Sequence, residues 1–559
     1  MSSLSLSAVF DTFDEVNYLA YDSHMQENTQ KLSVVDVLAE SLKLAGAEAV
    51  FGIPSYVGFG IINALDKSGF TLELNTHEQN AAHMAEGYYY ATGKLPILSV
   101  AIGPGVTNAV TGIANAFVES VPMIVLVARA ADAYIGKNEY HANSGIGRTL
   151  DEKQLFQSCT KAQYYLDNPA QSPELIRQAI YTALSGRPGP VVISVPPALQ
   201  KELVDWPSWL ENNGTFALSQ SIVSEKDLKS ITVLFERSQK PLIILGSEVQ
   251  HADRRQLERL LGNNCLYITS YGAKGKVPAL GNYFGTVWYS NSQDIVELVK
   301  ESDLVLAIGE HFTHFTVRPI TDELRNKNVI QISTYPEEIG RAVTISMGVV
   351  GDVSDFISRF SPSKRSWLFS GISNKLNPED SETLAVLQML PEIMPDDTVF
   401  FGDVGNAGYA SITDLVLTSN QEYYTTGKFG VCGYSIPAAI GYSYGNKKRP
   451  VASIIGDLSL AMNMQEISNV VKFGTTNTFF VFNNQTPANI TEDQLEIAGK
   501  EIQSSIGNID YQLFAQSVGI EYVHVNGSEN MREICAGINF SSGSRIVEIT
   551  IPQTDTPLI

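Results

Sequence analysis

Val451-Ala452-Ser453-Ile454-Ile455-Gly456-Asp457, followed by Thr478-Phe479-Phe480-Val481-Phe482-Asn483-Asn484, is the stretch that decides the fold. Each half is a short apolar run rich in β-branched and aromatic residues, and each ends abruptly in polar side chains. Such runs read as buried strands of a parallel sheet. Ligands of open α/β sheets bind just beyond the carboxyl ends of such strands. Asp457, Asn484 and a nearby backbone carbonyl would offer hard oxygen ligands there, the set that magnesium takes together with phosphate and water. Two unrelated strand ends with polar loops would give the same pattern, so other elements have to decide.

Working outward, the same alternation recurs. A helical pattern over Val34–Ala45, stopped by Gly46, precedes the strand-like run Ala49–Gly52. Helical segments Ala81–Tyr90 and Thr107–Phe117 separate further runs at Ile97–Ala101 and Met123–Val127, and Gly189–Val195 closes the series before Pro196-Pro197. A second series contains Pro241–Leu245, Leu304–Ile308 and Val329–Ile332. A third contains Val399–Phe401, Val451–Ile455, Thr478–Phe482 and Arg545–Ile551. Strands alternating with helices imply parallel sheets covered on both faces. The expected fold class is α/β, with three consecutive domains of parallel sheets flanked by helices. The expected boundaries are an N-terminal extension 1–30, a first domain 31–200, a linker 201–221, a central domain 222–356, a linker 357–384 and a third domain 385–559. The first and third units show no sequence similarity that would prove a shared architecture.

Composition limits the function classes. The chain has 559 residues, 44% hydrophobic and 18% charged, as expected of a globular protein of roughly three domains. A net charge of −22 argues against a nucleic-acid partner, because phosphate binding needs clustered cations. No apolar run is long enough to span a membrane. Cys159, Cys265, Cys432 and Cys535 have neither metal spacing nor a disulfide framework, which points to a reducing, cytoplasmic setting. The first basic residue is Lys31, so residues 1–30 lack the start of a secretory signal. They read as a docking arm or a disordered extension.

The first domain carries His77-Glu78-Gln79-Asn80-Ala81-Ala82 and then Gly103-Pro104-Gly105-Val106-Thr107-Asn108 between a strand and a helix. Glycines at such a turn let a ligand approach the backbone, and the helix N-terminus favours an anion. Thr111-Gly112-Ile113-Ala114-Asn115-Ala116 and Ser120-Val121-Pro122 accompany it. With Gly456-Asp457 and Asn483-Asn484-Gln485, this ordered set resembles the thiamine-diphosphate-dependent acetolactate synthase and 2-oxo-acid decarboxylase superfamily. The resemblance covers residues 31 to 556 in the order pyrimidine-binding, central and diphosphate-binding domains. Ser185-Gly186-Arg187-Pro188-Gly189-Pro190, Phe284-Gly285-Thr286-Val287, Ser302-Asp303-Leu304 and Pro336-Glu337-Glu338-Ile339-Gly340 favour the synthase branch.

The resemblance implies roles for individual residues. Glu78 matches the catalytic glutamate that hydrogen-bonds the aminopyrimidine ring. Asp457 and Asn484 match the side-chain magnesium ligands, and Thr486 the residue that adds a backbone carbonyl. Gly405 and Asn406 match the loop beside the diphosphate, and Gly456, Leu458 and Ser459 flank the metal aspartate. Gly430 matches the carbonyl that accepts from the pyrimidine amine. Cys432 matches the side chain that bends the cofactor, a smaller wedge than usual, and equally reads as a small buried hydrophobe. The cofactors implied are thiamine diphosphate and Mg2+. The synthase branch also binds FAD, but Glu310-His311-Phe312 replaces the family arginine, which counts against flavin here.

Several departures bear on substrate. Leu458 stands where the family has glycine. Tyr56 follows Ser55 where synthases have glycines and pyruvate decarboxylases an acid, and reads either as a residue near the reaction centre or as an ordinary tyrosine. Gly145 and Ile146 fall where decarboxylases carry adjacent histidines. His141 reads as a loop residue or a substrate contact, and Arg148 as a partner for a substrate carboxylate or a solvated charge. Gln485 follows the metal asparagine where substrate would lie. The expected function is a carboligase that joins a decarboxylated 2-oxo acid to a second carbonyl compound, working as a homodimer or homotetramer with sites between subunits. The alternatives are a simple decarboxylase releasing an aldehyde and a structural or regulatory homologue.

Overall fold

The computed structural model describes residues 31–130, 132–137, 140–141, 143–211, 216, 221–288, 293–369, 381–502 and 507–557. The extension 1–30 lies outside them, as do residues 370–380 of the segment read as the second linker.

The first sheet is built from β1 (Ala49–Gly52), β2 (Thr71–Leu74), β3 (Ile97–Val100), β4 (Met123–Ala128), β5 (Ala162–Tyr165) and β6 (Pro190–Val195). All its pairings are parallel, in the order β2-β1-β3-β4-β6-β5. The central sheet contains β7 (Pro241–Leu245), β8 (Leu266–Thr269), β9 (Tyr283–Thr286), β10 (Leu304–Ile308), β11 (Asn328–Ser333) and β12 (Met347–Val350), in the order β9-β8-β7-β10-β11-β12. The third contains β13 (Val399–Gly402), β14 (Glu422–Thr425), β15 (Val451–Gly456), β16 (Asn477–Asn483), β17 (Glu521–Asn526) and β18 (Arg545–Thr550), in the order β14-β13-β15-β16-β18-β17. The first and third sheets therefore share one strand order, a kinship that their sequences hide. The interior strands are mostly buried because helices cover both faces.

The segment read as the first linker is partly ordered against the first domain. Leu203–Asp205 pairs antiparallel with Lys31–Ser33, with Leu32 opposite Val204. Val204 is buried, which is why a stretch of polar composition still forms a strand.

Two helices weld the first domain to the third. α1 (Glu78–Thr92) leaves β2, and α2 (Pro104–Val118) leaves β3. In the third domain α3 (Asn406–Asp414) follows β13, α4 (Ser435–Gly445) precedes β15, and α5 (Asp457–Asn463) follows β15. α1 and α4 cross at Gly87 and Gly441. A Cβ at Gly87 would lie 1.9 Å from Ala438 O, and one at Gly441 would lie 2.1 Å from Met84 O. Only glycine allows backbones to approach so closely. The hydrophobic core runs unbroken through this contact, from Phe51 and Val125 to Ile436, Leu460 and Phe479.

Candidate functional site

In the third sheet β13 and β15 are neighbours from which the chain departs in opposite directions, and this is where ligands of such sheets bind. Beyond β15, Asp457 opens α5 and is only 3% exposed. Its Oδ1 accepts from Leu458 N at 2.7 Å and its Oδ2 from Gln485 N at 2.6 Å. Burial pushes the Asp457 carboxyl above its ordinary range, and these backbone donors pull it part of the way back. Gln485 has φ +59°, a left-handed conformation that side-chain residues rarely adopt. It turns the chain so that the residue after Asn484 donates to the aspartate, while Asn484 Oδ1 accepts from Thr486 N at 3.3 Å. Asp457 and the Asn484–Thr486 turn are thus brought together.

Beyond β13, Gly405 precedes α3 at φ +120°, with nothing within 4 Å of where a Cβ would stand. Gly430 (φ +72°) and Gly456 also look onto open space. Asn406 Oδ1 is buried without a hydrogen-bond partner among the described residues, and an amide side chain can present an acceptor or donors to a ligand. Ser459 Oγ donates to Val404 O at 3.1 Å, tying α5 to the Gly405 loop. Cys432 is half-buried, and burial, followed by the nearby Asp403, raises its thiol pKa. Leu458 is half-buried and engaged through its backbone N–H. The fit to a magnesium-bound diphosphate is good. A carboxylate, an amide side chain and a turn carrying a backbone carbonyl stand together here, and magnesium needs only one or two carboxylates when phosphates complete its shell.

Glu78 heads α1 and is 6% exposed. Its Oε2 accepts from Asn108 Nδ2 at 3.0 Å. Its Oε1 lies 3.1 Å from where a Cβ at Gly105 would stand, so that glycine keeps the oxygen accessible. His141 lies on the other side of the same turn, its Cβ 3.1 Å from a Cβ built at Gly103. The structure therefore gathers Glu78, Gly103–Gly105, Asn108 and His141. Tyr56 stands 96% exposed on the turn after β1, and Arg148 is exposed on the loop between Gly147 and Thr149. The structure does not bring either of them into this group.

Two buried acids escape the sequence reading. Asp403 accepts from Val404 N and Gly433 N through Oδ1 and from Ser435 N through Oδ2, each at 2.8 Å. It clasps the loop that carries Gly430 and Cys432 to the loop that carries Gly405. Its signal was available, because Gly402-Asp403 ends a strand as Gly456-Asp457 does. Glu466 follows α5 and accepts from Asn75 Nδ2 at 2.9 Å, Thr76 N at 3.1 Å and Asn469 Nδ2 at 2.7 Å. It holds the segment immediately before Glu78. A third link runs from Glu86 Oε2 through Asn115 (2.8 Å) and Thr426 Oγ1 (2.6 Å) to Gly430 N (3.2 Å).

Comparison with known proteins supplies the family. Residues 32–154 match the thiamine pyrophosphate enzyme N-terminal TPP binding domain, residues 228–360 its central domain, and residues 403–549 its C-terminal TPP binding domain. The chain is 24% identical over 546 residues to the acetolactate synthase isozyme 2 large subunit of Escherichia coli, covering 93% of this chain and 96% of that one. It is 25% identical to the acetolactate synthase large subunit of Lactococcus lactis (89% of each chain) and 24% identical to that of Buchnera aphidicola (90% and 91%). No helix among the described residues is long and apolar enough to cross a membrane. With the three thiamine domains in order around the two strand-end clusters, the chain belongs to the thiamine-diphosphate-dependent, acetolactate synthase-like superfamily of enzymes.

Proposed function

We propose that this protein is a magnesium-dependent carboligase that joins the acyl unit of a 2-oxo acid, after loss of carbon dioxide, to a second carbonyl compound. The observation that carries the reading is the left-handed turn at Gln485, which brings the Asn484–Thr486 segment onto the Asp457 carboxylate. Asp457, Asn484 and the Thr486 carbonyl would hold Mg2+. Gly405, Asn406, Gly456 and Ser459 would receive the diphosphate, and the Gly430 carbonyl and Cys432 the pyrimidine end. Thiamine diphosphate, when bound, supplies a nucleophilic carbon that takes up the acyl unit and stores its electrons as carbon dioxide leaves.

The chain's own residues do the rest. Glu78 keeps Oε1 available to exchange a proton with a ring nitrogen, while Asn108 holds Oε2 and so fixes the carboxyl plane. Among the described residues Glu78 is hydrogen-bonded within its own domain and not to the third. This suits an acid that completes a site on another subunit, so the working unit in this reading is at least a dimer. Tyr56, His141, Arg148 and Gln485 are the candidates for substrate contact. His141 has the strongest support because it shares the Gly103–Gly105 turn with Glu78. Carboligation is favoured over simple decarboxylation by Gly145 and Ile146 in place of a histidine pair and by the acetolactate synthase relatives.

The test is a product screen by mass spectrometry with thiamine diphosphate, Mg2+ and paired 2-oxo acids and aldehydes. A product with a new carbon–carbon bond is expected. Release of free aldehyde alone would identify a decarboxylase, and absence of cofactor binding by calorimetry would leave a structural homologue.

A further inference from the structure

The central sheet has its own switch point. Its order β9-β8-β7-β10-β11-β12 puts β7 beside β10, with the chain leaving the pair in opposite directions. A nucleotide would occupy the crevice beyond the carboxyl ends of these strands. It needs a backbone cradle open to its pyrophosphate, free N–H donors and little buried negative charge.

This crevice is closed at its glycines and has backbone donors already engaged. Its glycines bring protein against protein: a Cβ at Gly246 would fall 2.2 Å from Glu310 Cα, and one at Gly309 would fall 2.7 Å from Glu248 Cβ. Four backbone donors at these strand ends are engaged. Gly246 N bonds Ile308 O at 2.9 Å, Glu248 N bonds Gly309 O at 3.2 Å, Phe312 N bonds Glu310 Oε1 at 2.6 Å and Thr334 N bonds Glu248 Oε2 at 2.7 Å. Three carboxyl groups, Glu248, Glu310 and Glu338, are buried near these strand ends, and burial pushes Glu310 up to about 7. Glu338 is neutralised by Arg187 at 2.6 Å and Arg341 at 2.9 Å.

The carboxylate of Glu248 starts a chain of polar contacts that leaves the central domain. Its Oε1 accepts from Ser333 Oγ at 2.5 Å and meets His311 Nε2 at 2.9 Å. His311 Nδ1 lies 3.1 Å from Lys428 Nζ. Burial lowers the His311 pKa, against the pull of Glu248, and so favours the neutral ring. Burial works to raise Glu248, but its bonds from His311, Ser333 and Thr334 outweigh that and hold it ionised. Burial lowers the Lys428 pKa as well; with its amine donating to Nδ1 of a neutral ring, Nε2–H donates to Glu248. Lys428 N also donates to Glu119 Oε1 at 2.9 Å. Its backbone is thereby held two residues before Gly430.

We propose that the Glu248–His311–Lys428 array takes the place of a nucleotide in the central crevice and positions the Gly430 loop, so that no flavin dinucleotide binds there. The positioning half rests on the reading of Gly430 as a cofactor contact; the closure of the crevice does not.

The test uses the full-length protein with thiamine diphosphate and Mg2+. FAD is titrated against it by flavin fluorescence and calorimetry, and purified protein is unfolded to release any carried flavin. The expected result is no saturable FAD binding and no released flavin. One flavin per chain by either route overturns the proposal. In parallel, His311→Gln and Lys428→Met should each raise the dissociation constant for thiamine diphosphate about tenfold, the scale of one lost hydrogen bond to a charged group. Lys428→Arg should restore part of it. A lowered melting temperature with an unchanged dissociation constant would reduce the array to a structural strut and overturn the positioning role. Failure of the wild type to bind thiamine diphosphate would instead defeat the proposed function, with the FAD titration still readable.

Discussion

Glu78 presents one oxygen to Asn108 and the other to the space kept open by Gly105. Glu78→Gln preserves the shape and the Asn108 contact but removes the proton exchange. Calorimetry should find thiamine diphosphate binding nearly unchanged, while kcat falls about 10²–10⁴-fold, the range for loss of a general acid–base group. Retained kcat would take Glu78 out of the chemistry. Glu152 poses a different question. Its carboxyl is pushed up to about 7 by burial, although Ser194, Tyr165, Arg129 and Asn143 work to lower it. Because the folded value exceeds the ordinary 4.5, the fold favours the protonated acid and loses stability as pH rises through that window. Glu152→Gln keeps an uncharged side chain at every pH. Relative to the wild type it should gain up to about 3 kcal/mol between about pH 5 and about pH 8. Melting temperatures of both proteins at the two pH values check this, and a gap independent of pH contradicts it.

Among elements, the crossing of α1 and α4 leaves no room for a side chain at its glycines. Gly87→Ala places a methyl group on Ala438 O, which should cost about 1–3 kcal/mol or more by overpacking. Urea unfolding measures it, and an unchanged midpoint would mean that the helices separate freely. The same scale explains what could be read in advance. Of the interior strands only Leu266–Thr269 is missing from the sequence reading. The edge strands Thr71–Leu74, Ala162–Tyr165, Tyr283–Thr286, Met347–Val350, Glu422–Thr425 and Glu521–Asn526 are all missing. An edge strand is covered on fewer sides and carries polar residues, as Thr71-Leu72-Glu73-Leu74 does, so it lacks the continuous apolar run that marks a buried parallel strand. Asp457 and Asn484 were legible because each directly follows such a run. Glu466 was not, because its partner Asn75 lies 391 residues away in sequence and only the tertiary fold joins them.

For the whole molecule, the cofactor should act as a thermodynamic brace. A ligand that binds only the folded state at a hundredfold excess over its dissociation constant adds about 2.7 kcal/mol. Thiamine diphosphate with Mg2+ should therefore raise the melting temperature, chelation of the metal should reverse the shift, and Asp457→Asn should abolish it. Should the site lie between subunits, the shift will also grow with protein concentration, which differential scanning fluorimetry across a dilution series can read.

The glycine pair in the α1–α4 contact also limits how such proteins can be recombined. Gly87 and Gly441 lie in different domains, yet each is shaped to the other helix's backbone. A chimera that took its first domain from one homologue and its third from another would inherit half of a lock without its key, unless both helices were transplanted as a unit.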